Sequence, residues 1–508
     1  MCRQLVAIIV HLFFVVLSFD SLAAAATSES SQPNIVLIVA DDLGWNCVGY
    51  HNQQYQTPNI DRIVSEGVEL NRFYVAPMCS PTRAGLMTGR YPIRFGCARS
   101  VIPPYRDFGL PVSELTLPER LADLGYQNRG TFGKWHLGHR RAKWHPLNQG
   151  FTHFHGHYNG AIDYFQLTRE GVRDWHVNDQ PSDQQGYSTR LIAEAASEWI
   201  AESASADSPY FCYVPFNAPH GPLQAPEETI ANFARANQDR VSAKRRTNNK
   251  KLATLKAMIL EMDEGIGRIL QTVEESGESD NTLVWFLSDN GGVGSLPKLN
   301  KPLRGSKLTV YEGGIRVPAC VRWPSKFPAG GRNDRVCGYI DVMPTLVDAA
   351  SGSITVVPGR PIDGISLLAS LESSEANSTA STKDDRPWYS YHGQSSEDEE
   401  YLAVTADGWK LTVVGPRLIA ERQLQEDHHR IELFQLASDP YETTNVASQH
   451  PSRVEELGRM LIQHRALQPL DGVPTYEVGR EGFIPPPNWQ LDFSQPDALV
   501  GSYKNESE

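Results

Sequence analysis

Three places in the chain set acidic, amide or imidazole side chains together: Asp41-Asp42, Asn217-Ala218-Pro219-His220 and Asp289-Asn290-Gly291-Gly292. Carboxylates and amides are hard oxygen donors, so Asp41, Asp42, Asp289 and Asn290 together suit Ca2+ or Mg2+ rather than zinc. The same residue types are ordinary turn formers. Either pair alone reads as a turn, and both together leave a metal site and a pair of turns evenly matched. A further stretch, Cys79-Ser80-Pro81-Thr82-Arg83-Ala84-Gly85-Leu86-Met87-Thr88-Gly89-Arg90, joins a thiol to a guanidinium. Ser80 as N-cap and Pro81 as first helical residue predict a short helix here. Its amino end favours an anion and brings Cys79 and Arg83 together, with Arg83 able to fork onto tetrahedral oxyanions. On spacing alone Cys79 is either an activated thiolate nucleophile or, the favoured reading, a buried structural cysteine.

Strands must position these groups. Ile35–Ala40, Tyr210–Val214 and Leu283–Ser288 are continuous apolar or β-branched runs, the pattern of strands buried on both faces. Each leads into one of the polar groups, and open α/β sheets bind ligands beyond the carboxyl ends of their strands. From Gln32 to about Asp348, β-rich runs alternate with helical patterns, which predicts an α/β domain with a mainly parallel sheet. Over Leu252–Leu270, apolar residues recur every three or four positions (Leu252, Leu255, Ile259, Met262, Ile266, Ile269), as in an amphipathic helix. Ser370–Arg386 is rich in Ser, Thr, Glu and Asp and reads as a linker. Beyond it, Trp388–Tyr391, Tyr401–Thr405 and Trp409–Val414 read as strands, the last two joined at Asp407-Gly408. A strand near Ile431–Leu436 and a helix near Ser452–His464 complete a small α+β domain, and the tail after Pro469 is expected to wrap over the surface. The expected divisions are a leader over 1–26, a catalytic domain over 32–370, and a C-terminal subdomain with its tail over 387–508.

Composition bounds the function. At 508 residues, 40% hydrophobic and 21% charged, the chain is neither disordered nor fibrous. A net charge of -13 argues against general nucleic-acid binding, which needs a broad basic surface, but leaves room for an anionic substrate in a local positive pocket. Arg3, the apolar stretch Leu5–Leu17 and Ala23–Ala26 read as a secretory signal peptide, with an uncleaved anchor as the alternative. No later segment is long and apolar enough to span a bilayer. The expected location is secreted or periplasmic, lysosomal in a eukaryotic source, with no membrane contact once the leader is removed. Outside the leader, Cys47, Cys79, Cys97, Cys212, Cys320 and Cys337 lack the close pairing of zinc or redox sites. With Cys79 committed to chemistry, at least one of the others stays unpaired or pairs elsewhere.

Weaker signals remain. His153, His155 and His157 alternate along a strand and could hold zinc, form a polar wall against sugar hydroxyls, or lie on the surface. Lys244-Arg245-Arg246, Lys250-Lys251 and Lys256 form a basic patch, read as a solvated helix face or as a guide for a polyanion. Asn377-Ser378-Thr379 and Asn505-Glu506-Ser507 fit the glycosylation acceptor pattern.

The stretch from Cys79 to Gly89 is similar throughout to the signature of the type I, formylglycine-dependent sulfatases, with the Cys-x-Pro-x-Arg core intact as Cys79, Pro81 and Arg83. Asp41-Asp42 resembles that family's first metal pair. Gly133-Lys134-Trp135-His136-Leu137-Gly138 resembles its second signature. Pro219-His220, Asp289-Asn290-Gly291-Gly292, Leu303-Arg304-Gly305-Ser306-Lys307 and Glu312-Gly313-Gly314 follow in the family's order. The match spans Asn34 to Asp348, and Leu433–Asn445 resembles a stretch of the family's C-terminal domain. Gly150–Tyr164 and Asp174-Trp175-His176 resemble the arylsulfatase B-like (N-acetylgalactosamine-4-sulfatase-like) branch. One departure touches the approach to the second signature. The spacing from Gly125-Tyr126 to Gly133-Lys134 is one residue longer than usual, and Asn128 stands where Ser or Thr is expected.

The resemblance implies an alkaline-phosphatase-like α/β core, with a large, mainly parallel mixed sheet flanked by helices, and a smaller C-terminal domain with an antiparallel sheet and helix. It implies conversion of Cys79 to formylglycine (3-oxoalanine) by a formylglycine-generating maturation enzyme. It also implies one Ca2+ held by Asp41, Asp42, Asp289 and Asn290 together with the side chain at Cys79. Arg83 would position the aldehyde hydrate, and Lys134 and Lys307 would bind sulfate oxygens. His220, with Lys307, would protonate the leaving oxygen, and His136 would take a proton from the hydrate. The implied activity is release of inorganic sulfate from an ester on a sugar or glycosaminoglycan-like glycan. Two alternatives stay open: a phosphonate or phosphodiester hydrolase of the same superfamily, and a non-catalytic secreted glycan-binding protein.

Overall fold

In the computed structural model the apolar run Asn34–Ala40 is strand β1, with all seven residues buried. The structure describes residues 32–206, 208–233, 243–354, 356–373, 386–418, 424 and 427–504, with the backbone alone for 243–246. The expected leader and both glycosylation acceptors lie outside these residues. β1 sits within a ten-stranded sheet. Its other members are β2 (Val68–Leu70), β3 (Asn128–Lys134), β4 (His153–His157), β5 (His176–Val177), β6 (Gln180–Pro181), β7 (Tyr210–Pro215), β8 (Thr282–Ser288), β9 (Ala319–Arg322) and β10 (Gly331–Asn333). The spatial order is β10-β2-β9-β8-β1-β7-β3-β4-β5-β6. The middle strands β8, β1, β7, β3 and β4 run parallel. Antiparallel pairs flank them on both sides.

Both faces are covered, which is why the central strands read as unbroken apolar runs. Successive side chains point to opposite faces. Ile35, Leu37 and Val39 join one core, with Leu86 and Met87 of α1 (Cys79–Thr88). Val36, Ile38 and Ala40 join the other, with Ile192 of α2 (Ser188–Ser203) and Met258, Met262 and Ile266 of α3 (Ala243–Glu275). Each such side chain, fully buried, contributes about 1.5–3 kcal/mol. The predicted Leu252–Leu270 helix is the packed part of α3. The helix runs beyond it at both ends because Lys, Arg and Glu are good helix formers without needing an apolar face. Tyr339, Ile340 and Met343 of α4 (Tyr339–Ala349) cover the first core.

The C-terminal region holds an antiparallel sheet of β11 (Trp388–His392), β12 (Glu400–Ala406), β13 (Trp409–Gly415) and β14 (Arg430–Gln435). Asp407 and Gly408 both take positive φ between β12 and β13, as the predicted tight hairpin requires. Leu457 and Leu461 of α5 (Pro451–Arg465) are buried in the first core with Leu402 and Leu411 of this sheet. Of the linker expected over Ser370–Arg386, residues 370–372 belong to a short helix, Leu368–Glu372, anchored through buried Leu371, and residues 374–385 lie outside the described residues. The tail does more than wrap the surface. Trp489 and Leu491 are buried against Ala142, Phe154 and Tyr158, and Arg140 Nε donates to the Val500 carbonyl at 2.9 Å. The six described cysteines are all free and buried.

Candidate active site

Strand register decides which polar groups meet. β1 and β8 pair in parallel through Ala40↔Ser288, so the next residues, Asp41 and Asp289, emerge side by side. The Asp289 amide donates to the Ala40 carbonyl at 3.0 Å. β3 ends in Lys134, and β7 leads to Asn217 and His220 at the same edge.

α1 begins at Cys79 with Met78 as its cap, so Ser80 is not the N-cap that the sequence suggested. Its hydroxyl has other partners. Ser80 Oγ donates to the His136 carbonyl at 3.0 Å and accepts from the Ile102 amide at 3.2 Å. Starting the helix at Cys79 puts Arg83 one turn further along the same face. The Arg83 fork is turned onto protein groups rather than left open for a substrate anion. Nε and Nη2 reach Asp289 Oδ2 at 3.1 and 2.8 Å, and Nη1 reaches the Lys134 carbonyl at 2.9 Å.

Around this pair, Lys134 Nζ donates to Asp41 Oδ2 at 2.5 Å and Lys307 Nζ to Asp42 Oδ1 at 2.6 Å. Asn290 Nδ2 donates to Asp42 Oδ1 at 2.7 Å. His136 Nδ1 lies 3.3 Å from Cys79 Sγ, and Nε2 lies 3.1 Å from the Ile102 carbonyl. A carbonyl can only accept, so the proton of neutral His136 sits on Nε2 and the basic Nδ1 lone pair faces residue 79. By the same reasoning His220 Nδ1, 2.6 Å from the Gly221 carbonyl, carries a proton, while its Nε2 stands 3.7 Å from Asp42 Oδ2. The structure therefore brings together all ten residues singled out from the sequence.

Three conformational features were not legible beforehand. Asp42 and His136 both adopt left-handed backbone, at φ 65° and 59°. Such positions cost about 1–3 kcal/mol and cluster at functional sites. Gly160 lies against the His136 ring, where a Cβ would come within 2.4 Å, so only glycine lets the ring sit there. Ser80, which anchors the two loops around His136, carried no signal except its place inside the Cys79 block.

Burial and charge set the protonation states. Burial raises Cys79, with Lys134 and Lys307 pulling the other way. Burial also raises Asp41 against the pull of Lys134, and it raises Asp289 to about 6, with Asp41 adding to the shift. For Asp42 burial is outweighed by Lys307, His220 and Asn290, and the carboxyl is held well below its usual range. Burial, then Lys134 and Arg83, push His136 well down, and burial pushes His220 to about 4 against the attraction of Asp42.

The donor set fits a hard cation. Among the described residues, Asp41 Oδ1 and Asn290 Oδ1 are buried acceptors with no hydrogen-bond partner, a costly state for polar oxygens. Ligand atoms of Asp41, Cys79 and Asp289 lie within 4.8 Å of one another, as do those of Asp41, Asp42 and His220. The three histidines of β4 have separate surroundings. His153 stacks on Phe132, His155 Nε2 meets Gln184 Oε1 at 2.9 Å, and His157 is wholly buried with Nδ1 at the Asn159 carbonyl. His153 and His155 are half-buried and His157 is buried, so the three are not a surface run.

The family described as Sulfatase matches residues 33–353, and the one described as N-sulphoglucosamine sulphohydrolase, C-terminal, matches residues 306–466. The chain is 30% identical to arylsulfatase J of Mus musculus over 482 residues, covering 87% of this chain and 77% of that protein. It is 30% identical to N-acetylgalactosamine-6-sulfatase of Homo sapiens over 474 residues, covering 86% and 85%. The crystal structure of Ps i-CgsB in complex with k-i-k-neocarrahexaose superposes with a TM-score of 0.74 at 27% identity, covering 86% of this chain and 94% of that one. These relatives establish the family without selecting the arylsulfatase B-like branch. With one family model matching residues 33–353 and relatives of 30% identity matched over most of their length, the chain belongs to the sulfatase family and is a sulfuric ester hydrolase with an alkaline-phosphatase-like fold.

Proposed function

We propose that the protein is a secreted, calcium-dependent sulfatase that acts on a sulfated saccharide after Cys79 has been converted to formylglycine by a maturation enzyme. The observation that carries the reading is the His136 Nδ1 lone pair facing the side chain of residue 79 at 3.3 Å. The saccharide substrate is supported by a relative named N-acetylgalactosamine-6-sulfatase and by a similar structure in complex with k-i-k-neocarrahexaose. The leader at the amino end supports secretion.

Asp41, Asp42, Asp289, Asn290 and the side chain at position 79 would hold the calcium ion. Hydrated formylglycine supplies the oxygen nucleophile, and the bound cation supplies positive charge against sulfate oxygens. Lys134 and Lys307 bind the remaining sulfate oxygens, their ammonium groups already held in place by Asp41 and Asp42. Arg83 fixes Asp289 and the end of β3, and so holds both sides of the site in register. His220 Nε2 gives a proton to the leaving oxygen, and the negative ester docked beside it favours the imidazolium. His136 Nδ1 accepts a proton from the side chain at 79 so that sulfate can depart. The buried position keeps His136 neutral and ready to accept it.

The test is the mass of the peptide around Cys79 from protein made in its own host, with 4-nitrophenyl sulfate and 4-nitrophenyl phosphate assayed in parallel. The expected result is thiol-to-aldehyde conversion and sulfate hydrolysis that dominates phosphate hydrolysis. Fully converted, calcium-loaded protein that leaves aryl and sugar sulfates intact would overturn the reading. A preference for phosphonate or phosphate diesters would turn it toward the superfamily's other hydrolases.

A further inference from the structure

The basic residues of α3 have no role in the chemistry above. Beside the cluster lies a cavity of about 710 Å3, lined by Asp42, by Pro219 and Gly221 on either side of His220, and by Lys250, Lys251 and Thr254 of α3. Its volume falls within the roughly 300–1,000 Å3 of small-ligand sites. Lys250 and Lys251 are exposed, and among the described residues neither ammonium has an ion-pair partner. In a chain of net charge -13, two adjacent lysines without an ion-pair partner among the described residues put positive charge on this wall of the cavity. The rest of the lining is mixed. Leu223, Leu255 and Leu296 offer apolar surface to a sugar face, and Thr254 and Ser295 offer hydroxyls.

The direction of the cavity follows from the chemistry, so the inference rests on His220 as the donor to the leaving oxygen. The sugar that carries this oxygen lies beside His220, whose chain neighbours Pro219 and Gly221 line the cavity together with Asp42 and with Lys250, Lys251 and Thr254 of α3.

We propose that this cavity is a subsite for a second anionic group, a sulfate or carboxylate on the saccharide whose ester is cleaved, with Lys250 and Lys251 as the cations that recognise it. The substrate class is thereby narrowed to multiply anionic saccharides. Ammonium groups on flexible stems act as point charges rather than planar forks, so the subsite reads charge and reach more than orientation. Its contribution is expected to fall with ionic strength, since both lysines are exposed and screening acts over about 8 Å at physiological salt.

The test is calorimetric binding to the full-length mature protein at low and physiological salt, comparing wild type with the Lys250→Gln/Lys251→Gln double variant. The probes are polysulfated maltotriose, trigalacturonate, neutral maltotriose and inorganic sulfate. The expected result is a Kd for polysulfated maltotriose about tenfold higher in the variant at low salt, with a shallower salt dependence. The Kd for inorganic sulfate and the kcat/KM on 4-nitrophenyl sulfate stay unchanged. A parallel shift for trigalacturonate assigns the subsite to carboxylates as well, and a shift confined to the sulfated probe assigns it to sulfate. Equal changes for the oligosaccharide and for inorganic sulfate, or no change for either charged oligosaccharide, would overturn the proposal. Binding reads the subsite whether or not an ester is cleaved, so its failure is distinct from failure of the catalytic reading, which the aryl sulfate assay reports.

Discussion

Arg83 closes on a single oxygen of Asp289 through two donors, Nε at 3.1 Å and Nη2 at 2.8 Å, with both side chains wholly buried. The contact joins the second turn of α1 to the end of β8, and the third donor ties both to β3 through the Lys134 carbonyl. A lysine at 83 keeps the charge but cannot make three directed contacts at once. Arg83→Lys is therefore expected to lower kcat on an aryl sulfate by about 100-fold, the usual consequence of an ångström of misplacement. Steady-state kinetics check this, and a variant with wild-type kcat would show that the guanidinium geometry is dispensable.

The unpartnered oxygens of Asp41 and Asn290 predict a stability response to cation. A ligand that binds only the folded state at about 100 times its Kd stabilises by about 2.7 kcal/mol. Thermal melts of chelator-treated protein are expected to shift upward on addition of Ca2+, and Asn290→Ala is expected to lose most of that shift. A melting curve indifferent to both chelator and Ca2+ would remove the metal from the account.

His220 as proton donor predicts a dependence on the leaving group. A nitrophenolate departs without help, whereas a sugar alkoxide needs its proton. His220→Ala is expected to cut turnover of an alkyl or sugar sulfate by about 100- to 10,000-fold while sparing 4-nitrophenyl sulfate far more. A uniform loss across leaving groups would assign His220 to sulfate binding instead.

A second buried charge cluster fastens the C-terminal sheet to the loop that follows Lys307. Lys410 Nζ lies 3.0 Å from Glu312 Oε1 and 2.8 Å from Glu442 Oε1, and Tyr74 donates to Glu312 at 2.9 Å. Burial raises Glu442 to about 7, with Lys410 opposing the shift and Glu312 adding to it. Removing the cation strands two carboxyl groups without their partner. Lys410→Met is expected to destabilise the protein by about 3–5 kcal/mol in urea unfolding. Replacing Glu442 by Gln at the same time should recover part of the loss, and strict additivity of the two changes would refute the coupling.

His464 predicts a pH effect away from the catalytic cluster. It stacks on Tyr389 at 4.1 Å, and burial, reinforced by Arg94, lowers it to about 3. An unfolded histidine titrates near about 6.5, so between these values the unfolded chain binds a proton that the folded one does not. The contribution is complete above about pH 6.5 and is lost as pH falls toward about 3. His464→Phe keeps the stacking without the titration. Its stability relative to wild type is expected to improve by about 1–3 kcal/mol between pH 7 and pH 4, read by denaturant unfolding at each pH. A gap that stays constant with pH would mean that His464 is hydrated and charged in the folded state.

The unbroken apolar runs of Ile35–Ala40 and Leu283–Ser288 already specified strands covered on both faces, because only such strands have no need of polar alternation. Residue order alone likewise put Asp41, Asp42, Asp289 and Asn290 at strand ends, whereas the grouping of Cys79, Arg83, Lys134, His136, His220 and Lys307 rested on the resemblance of their motifs to the sulfatase signatures. The start of α1 was misplaced by sequence, since Ser80 and Pro81 have the local chemistry of a helix entrance. Its actual start, at Cys79, is fixed by contacts of Ser80 with His136 and Ile102, far away in the chain.

By itself, then, the sequence determined most element types through local pattern and the family through the order of its motifs, and the proposed reacting side chains follow from that resemblance. Tertiary structure alone decided that the Arg83 fork serves Asp289 and that the free nitrogen of His136 faces residue 79. It also decided that the basic turn of α3 borders the cavity beside His220. These are relations between residues thirty or more positions apart, set by strand register and packing across the sheet, and no local pattern encodes the distance between them.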